Sequence, residues 1–250
     1  MSCALDIAFA DGWCGQNGIR LIAPDRPGIR NSSPHPGYGL ADTAADTAAL
    51  ADRLGVERFA VSGWSAGGPH AIACAAMLGE RIDAVATVGS TAPRSEAKPG
   101  LAVDRFLYPT ARRAKPAARA FIAAASRMSP KTRERRTRRA VRCEADRRII
   151  DSLPAGTISS WMDGTTSQGP RGVLDDYLST GYNWSATARG TSRRVHLFQG
   201  SEDHLVPPVH AERLAALLPD AEVRLIEGSG HFLLYEHLAQ VVSALGLGRS

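Results

Sequence analysis

Short apolar runs rich in β-branched residues alternate along this chain with longer segments whose apolar residues recur at helical spacing. The short runs predict five strands, at 20–23, 58–62, 84–88, 195–199 and 223–226. The longer segments predict helices at 41–54, 67–78, 208–218 and 232–245. This alternation is typical of βαβ units. We therefore predict an α/β fold, with a mainly parallel sheet and helices on both of its faces.

The alternation stops between about residues 91 and 194, where Ala, Arg and polar residues dominate, Pro recurs and strand-like runs are missing. This stretch predicts a helical insertion, which we call the lid and place at 93–190. Residues 1–92 and 191–250 form the predicted core. A chain of 250 residues is long enough for one large domain with such an insertion.

A serine lies at the junction of a predicted strand and a predicted helix, in the pattern Gly63-x-Ser65-x-Gly67. Glycines at these positions permit a tight turn that lifts the serine hydroxyl clear of the sheet, the arrangement known as a nucleophile elbow. The Ala66 amide would then point to where negative charge develops on an attacked carbonyl. An ordinary Gly-rich turn is the alternative, but the flanking strand and helix favour a nucleophile.

A serine hydroxyl needs a base to accept its proton, and the base needs a partner that orients it. Asp203 follows the predicted strand at 195–199, and His231 lies in a Gly-rich loop after the strand at 223–226. Catalytic groups of open α/β sheets gather at the carboxyl ends of the strands. We predict a catalytic triad of Ser65, His231 and Asp203, with Glu202 as the competing acid.

Four segments, taken together and in order, resemble the α/β-hydrolase superfamily, in particular its serine-dependent, lid-containing, esterase-like branch. They are the Pro-rich loop at 21–28, the elbow at 63–68, the acidic turn at 200–207 and the His loop at 228–232. The resemblance implies hydrolysis of a carboxylic ester through an acyl-enzyme, and its acid position matches Asp203. A lactonase, an amidase or a C–C bond hydrolase would use the same triad. A non-catalytic ligand- or partner-binding protein on this fold is the competing class.

The resemblance is incomplete at the front of the chain. Members of the superfamily usually begin with two or three further strands and a His-Gly loop that supplies a second oxyanion amide. Here 19 residues precede the first predicted strand, of which 4–10 predict a helix before a Gly-rich turn, and no His-Gly dipeptide occurs. The core is thus predicted to be N-terminally short. We expect the natural start to lie upstream, a truncated and weakly active relative being the other explanation.

Charge and composition narrow the range of partners. The net charge of +5 is concentrated in residues 131–148, where nine Lys or Arg face three acids. No aromatic residue interleaves with these charges, so a solvated helix face is predicted rather than a nucleic-acid site. No stretch reaches the roughly 18 apolar residues of a membrane span. The predicted partner is a small-molecule acyl substrate, with a homo-oligomer left open.

The remaining chemistry-bearing residues predict little beyond the triad. The four cysteines show no zinc-like spacing and the other six histidines form no HExxH motif, so we expect no metal and no cofactor. The N-terminus lacks a signal-peptide pattern, and we predict a reduced, cytoplasmic protein. Trp64 and Trp161 are the predicted substrate contacts, although large apolar residues also build cores.

Overall fold

The structure is a computed structural model and describes residues 4–180 and 183–247. Within those residues a single parallel sheet has four strands in the order β1-β2-β3-β4. The strands are β1 (Phe59–Trp64), β2 (Ile82–Val88), β3 (Val195–Gly200) and β4 (Ala221–Ile226). The predicted α/β class with a parallel sheet is confirmed, as are four of the five predicted strands. Because the strands are parallel, their carboxyl ends meet at one edge.

Twelve α-helices are formed within the described ranges. They are α1 (Asp11–Gln16), α2 (Leu40–Arg53), α3 (Gly68–Met77), α4 (Ala102–Arg113), α5 (Lys115–Ser126), α6 (Pro130–Ala140), α7 (Glu144–Ser152), α8 (Thr157–Thr166), α9 (Pro170–Ser179), α10 (Ser185–Arg189), α11 (Val209–Leu217) and α12 (Leu234–Ala244). The helices predicted at 41–54, 67–78, 208–218 and 232–245 are confirmed as α2, α3, α11 and α12. None of the helices in these ranges is long and apolar enough to cross a bilayer.

Both faces of the sheet are covered, as the alternation of buried side chains along its central strands requires. Val85 and Leu197 belong to one apolar cluster, together with residues of α2, α3 and α11. Their neighbours Ala86 and Phe198 point to the opposite face and belong to a second cluster with α12. The near-continuous apolar character of β2 and β3 follows from this two-sided burial.

The fifth predicted strand, at 20–23, is wrong. Residues 19–26 have no regular secondary structure, and β1 is an edge of the described sheet. A strand requires a partner for its backbone N–H and C=O groups, and no described strand lies beside β1 on that side. The segment therefore keeps an irregular path. At the front, residues Ala4–Ala10 form a 3-10 helix, and α1 replaces the expected Gly-rich turn.

Helices α4 to α10 connect β2 to β3 and occupy most of the segment that we call the lid. Part of this segment has an apolar cluster of its own, built by residues of α4, α5 and α9. Other residues, among them Ile150 of α7 and Trp161 of α8, pack instead into the second cluster of the sheet. The inserted helices consequently share a core with the sheet and lie over its carboxyl edge.

A buried polar cluster ties α9 to the irregular segment that precedes α2. The Arg26 guanidinium donates to both oxygens of Asp176, with N–O distances of 2.5 and 2.9 Å. His70 of α3 lies beside this pair, with Nε2 4.0 Å from Asp176, and its Nδ1 hydrogen-bonds the Thr43 hydroxyl at 2.7 Å. Both side chains of the ion pair are about nine-tenths buried, so neither charge can be left without the other at low cost.

We expect Arg26→Ala to lower the free energy of unfolding by about 3 to 5 kcal/mol, because Asp176 would be left as a buried charge without its guanidinium partner. Urea denaturation measures this change. The matched control is Arg58→Ala, which removes the exposed ion pair with Asp83 and should cost under about 1 kcal/mol. Equal losses for the two variants would contradict the assigned importance of the buried pair.

The same cluster predicts a loss of stability in acid. Burial and then the Arg26 charge lower the pKa of His70 from 6.5 to about 3. The folded protein therefore keeps this ring neutral where the unfolded chain protonates it. The stabilisation is fully present above pH 6.5 and is lost as the pH falls towards 3, by up to about 1.4 kcal/mol per pH unit.

His70→Asn should flatten this part of the pH profile of unfolding free energy, measured by urea denaturation between pH 7 and pH 5. Substitution of the exposed His35 by Asn serves as the control and should leave the slope unchanged. A wild-type slope that persists in His70→Asn would mean that another group causes the acid sensitivity.

Candidate active site

Ser65 occupies a sharp turn between β1 and α3. Its φ of 55° lies in the left-handed region, where a non-glycine residue is strained. The turn requires glycine at position 63, because a Cβ there would lie 2.3 Å from the carbonyl oxygen of Gly67. Ser65 therefore lies on a strained turn that depends on this glycine. Ala66, the next residue, belongs to the single 3-10 turn Ser65–Gly67 that leads into α3, and it lines the same cavity as Ser65.

The carboxyl ends of β3 and β4 bring Asp203 and His231 together. His231 Nδ1 lies 2.8 Å from Asp203 Oδ2, and the other carboxylate oxygen accepts the backbone N–H groups of Leu205 and Val206 at 2.9 and 2.8 Å. Asp203 is 1% exposed, whereas Glu202 is exposed. A carboxylate at Nδ1 favours the tautomer with its proton on that nitrogen, which leaves Nε2 available as a base.

Ser65 and His231 line one cavity of about 520 Å³ between the sheet edge and the lid. Most of its surface is apolar, with contributions from Leu107, Ile122 and Trp161. Such a space suits a small molecule whose apolar part is enclosed while a few polar groups fix its orientation. The arrangement thus places a serine hydroxyl and a carboxylate-held imidazole against an apolar compartment.

A second buried carboxylate holds the loop of His231, and it comes from the basic segment at 131–148. Asp146, in the first turn of α7, accepts the backbone N–H of His231 at 2.8 Å and that of Phe232 at 2.7 Å. Burial raises its pKa against the lowering effect of these two hydrogen bonds. Gly230 makes the approach possible, since a Cβ there would lie 2.2 Å from an Asp146 oxygen.

The available sequence signal for Asp146 was weak. It is an acid within a strongly basic stretch, and a Gly-Ser-Gly run precedes His231, but nothing along the chain links positions 146 and 231. Their contact depends on how α7 folds back over the end of β4. Polar residues on the lid side of the cavity were missed for the same reason: Arg94, Asp104 and Tyr177 all line it.

The two predicted tryptophan contacts differ in position. Trp161 lines the cavity and stacks on Phe232 with a ring-centroid distance of 6.2 Å. Trp64 is buried and does not line the cavity; its indole N–H donates to the carbonyl of His231 at 2.9 Å. Its place in the fold therefore corrects the expectation of substrate contact. Trp64 instead stabilises the loop of His231 through this hydrogen bond.

The comparisons to known proteins agree with this fold. The family model for the alpha/beta hydrolase fold matches residues 8–238. The chain therefore belongs to the α/β-hydrolase fold family.

Among solved structures, it is similar to a thermophilic esterase from Thermogutta terrifontis, at 21% identity over 98% of this chain and 84% of that one, with a TM-score of 0.68. An esterase from Exiguobacterium antarcticum aligns at 13% identity over 98% and 87% of the two chains, with a TM-score of 0.71.

A curated relative matches a shorter stretch. The polyketide synthase ThaQ of Burkholderia thailandensis is 38% identical over 64 residues, which span 25% of this chain and 3% of that much longer protein. The solved structures share less than a quarter of their residues with this chain, so their likeness concerns the fold. The chemistry of this protein has to be argued from its own site.

Asp146→Ala should lower the free energy of unfolding by at least about 2 kcal/mol, because two buried backbone N–H groups lose their acceptor. The His231 ring should also become less fixed, which NMR relaxation of the imidazole signals detects as increased motion. The matched control is Asp151→Ala on the same helix, where the exposed carboxylate pairs with Arg138 at the surface; its cost should stay below about 1 kcal/mol. Unchanged relaxation of the His231 imidazole in Asp146→Ala would contradict the positioning role.

Proposed function

We propose that this protein is a serine-dependent hydrolase that cleaves a small carboxylic ester through an acyl-enzyme. One observation carries the proposal: Ser65, on a strained turn, shares an apolar cavity with His231, whose ring is held by the buried carboxylate of Asp203. The family membership and the esterases of similar fold support a hydrolase. The serine mechanism and the ester substrate rest on the site.

In the proposed reaction, Ser65 Oγ attacks the carbonyl carbon of the ester while His231 Nε2 accepts the hydroxyl proton. Asp203 stabilises the imidazolium that forms, and the Ala66 amide donates to the oxyanion of the tetrahedral intermediate. His231 then protonates the leaving alcohol. Water repeats the sequence on the acyl-enzyme, which releases the carboxylic acid and restores Ser65.

Within the described residues, the Ser65 hydroxyl has no hydrogen-bond partner, so its contact with His231 has to form when substrate is bound. Catalytic hydrogen bonds often tighten in this way on binding. We further propose that residues 93–190 act as a lid in the sense of enclosing the substrate, since α4, α5, α8 and α9 supply much of the cavity wall. The apolar wall favours an apolar acyl or alcohol group.

The test is intact-mass analysis after treatment with a fluorophosphonate. The hydroxyl oxygen of an activated serine bonds to its phosphorus, and fluoride leaves. One adduct is expected on the wild type and none on Ser65→Ala. Ser62→Ala, at an exposed position three residues earlier in β1, is the matched control and should still be labelled. The same proteins are then assayed with p-nitrophenyl esters, where Ser65→Ala should lose about 10³-fold or more in kcat.

Two outcomes would overturn the proposal. A folded wild-type protein that neither reacts with the probe nor hydrolyses any ester would favour the non-catalytic binding protein. Ester hydrolysis that survives in Ser65→Ala would require another nucleophile.

A further inference from the structure

We infer that the lid carries a binding site for an anionic group of the substrate, a carboxylate or a phosphate, with Arg94 as its specificity-determining residue. The inference rests on the proposed function, because it names the class of ester that the same cavity would take. The substrate would place its ester at Ser65, its apolar part along the cavity and its anionic end at Arg94.

Arg94 links two compartments. It lines the catalytic cavity together with Ser65 and His231, and it also lines an adjoining groove of about 530 Å³ beside α4. Pro99 and Asp104 are shared between the two in the same way. A ligand held at Arg94 can therefore extend into the cavity that contains the proposed nucleophile.

The Arg94 guanidinium is held in a defined place without a counter-charge of its own. It stacks over the Tyr108 ring, 3.8 Å from the ring centroid, and forms no ion pair with a described carboxylate. Burial lowers the pKa of Arg94, and the more distant charge of Asp104 offsets this only in part. A partly desolvated cation that lacks an ion pair gains more from an incoming anion than a fully hydrated one does.

Asp104 is the acidic side chain that competes for Arg94. One of its oxygens already accepts a hydrogen bond of 2.6 Å from the Tyr177 hydroxyl. This bond keeps the carboxylate turned towards α9. No described carboxylate pairs with the Arg94 guanidinium, so its N–H groups can donate to two oxygens of one carboxylate or phosphate.

The surroundings of Arg94 are strongly basic. The groove is lined by five cationic side chains and the single carboxylate of Asp104; the cations are Arg94, Lys98, Arg105, Arg112 and Arg113. Lys98 and Arg113 form no ion pair with the described part of the chain, and Arg105 donates to the backbone carbonyls of Pro99 and Gly100. Exposed cations are individually weak, but grouped around one arginine they raise the local concentration of anions.

The first experiment compares two substrates with the same five-carbon acyl chain that differ only at its far end. One is the p-nitrophenyl monoester of glutaric acid, which ends in a carboxylate, and the other is its methyl ester, which is neutral. The wild type should prefer the acid by about tenfold or more in kcat/KM, mainly through KM, since a charge-assisted contact has this magnitude. The preference should shrink as salt is added.

Variants of Arg94 test whether this residue causes the preference for the acid substrate. Arg94→Gln should lower kcat/KM for the acid by about 10- to 100-fold and change it for the methyl ester by less than about threefold. Arg94→Lys keeps the charge without the fork, and part of the preference should return. Arg213→Gln, at an exposed arginine of α11, should leave both substrates unaffected. A preference that is absent in the wild type, or unchanged in Arg94→Gln, would overturn the inference.

A binding measurement separates this inference from the proposed hydrolase activity. Glutarate and inorganic phosphate are titrated into Ser65→Ala and into Ser65→Ala/Arg94→Gln by calorimetry, which needs no turnover. Binding of either anion that disappears with Arg94→Gln supports the site even if no ester is cleaved, and the stronger of the two identifies the group. Absence of binding by both anions would reject the site while fluorophosphonate labelling of Ser65 still upholds the hydrolase.

Discussion

The arrangement of this site depends on two buried carboxylates that both hydrogen-bond to the loop of His231. Asp203, at the end of β3, holds the His231 ring through Nδ1, while Asp146, from α7, holds the backbone of His231 and Phe232. Each carboxylate accepts backbone N–H groups as well as, or instead of, a side chain, so each stays satisfied while buried. A histidine fixed in both ring and backbone has little freedom to leave the orientation that a general base requires.

Because Asp146 belongs to an inserted helix, residues of the lid also take part in holding the His231 loop. The lid supplies most of the apolar wall, one of the two clamps on the histidine loop and, through α9, the buried partner of Arg26. Changes in the inserted helices would therefore be transmitted to the loop that holds His231. The basic groove around Arg94 lies in the same segment, which places substrate recognition and support of the site in one structural unit.

The sheet shows which strands the apolar pattern of the sequence can predict and which it cannot. The central strands β2 and β3 were predictable because their apolar residues are buried on both faces. The edge strands β1 and β4 are only partly buried, with Val223 and Leu225 exposed, and their β-branched and apolar residues alone indicated them. The run at 20–23 looks similar but forms no strand, because it is not paired with the open edge of β1 or with any other described strand, and a strand needs such a backbone partner. That requirement is non-local, and no property of the four residues themselves reports it.

The sequence by itself determined the α/β class, the glycine-dependent turn at Ser65 and the placement of Asp203 and His231 after their strands, because each of these depends on a short motif beside its own strand. Tertiary structure alone decided that Trp64 packs under the His231 loop and does not line the cavity. It also recruited Asp146 to the site and brought Arg94 to the cavity wall. These contacts join residues far apart in the chain, and their energies come from burial and from paired polar groups that exist only once the helices of the lid have packed over the sheet.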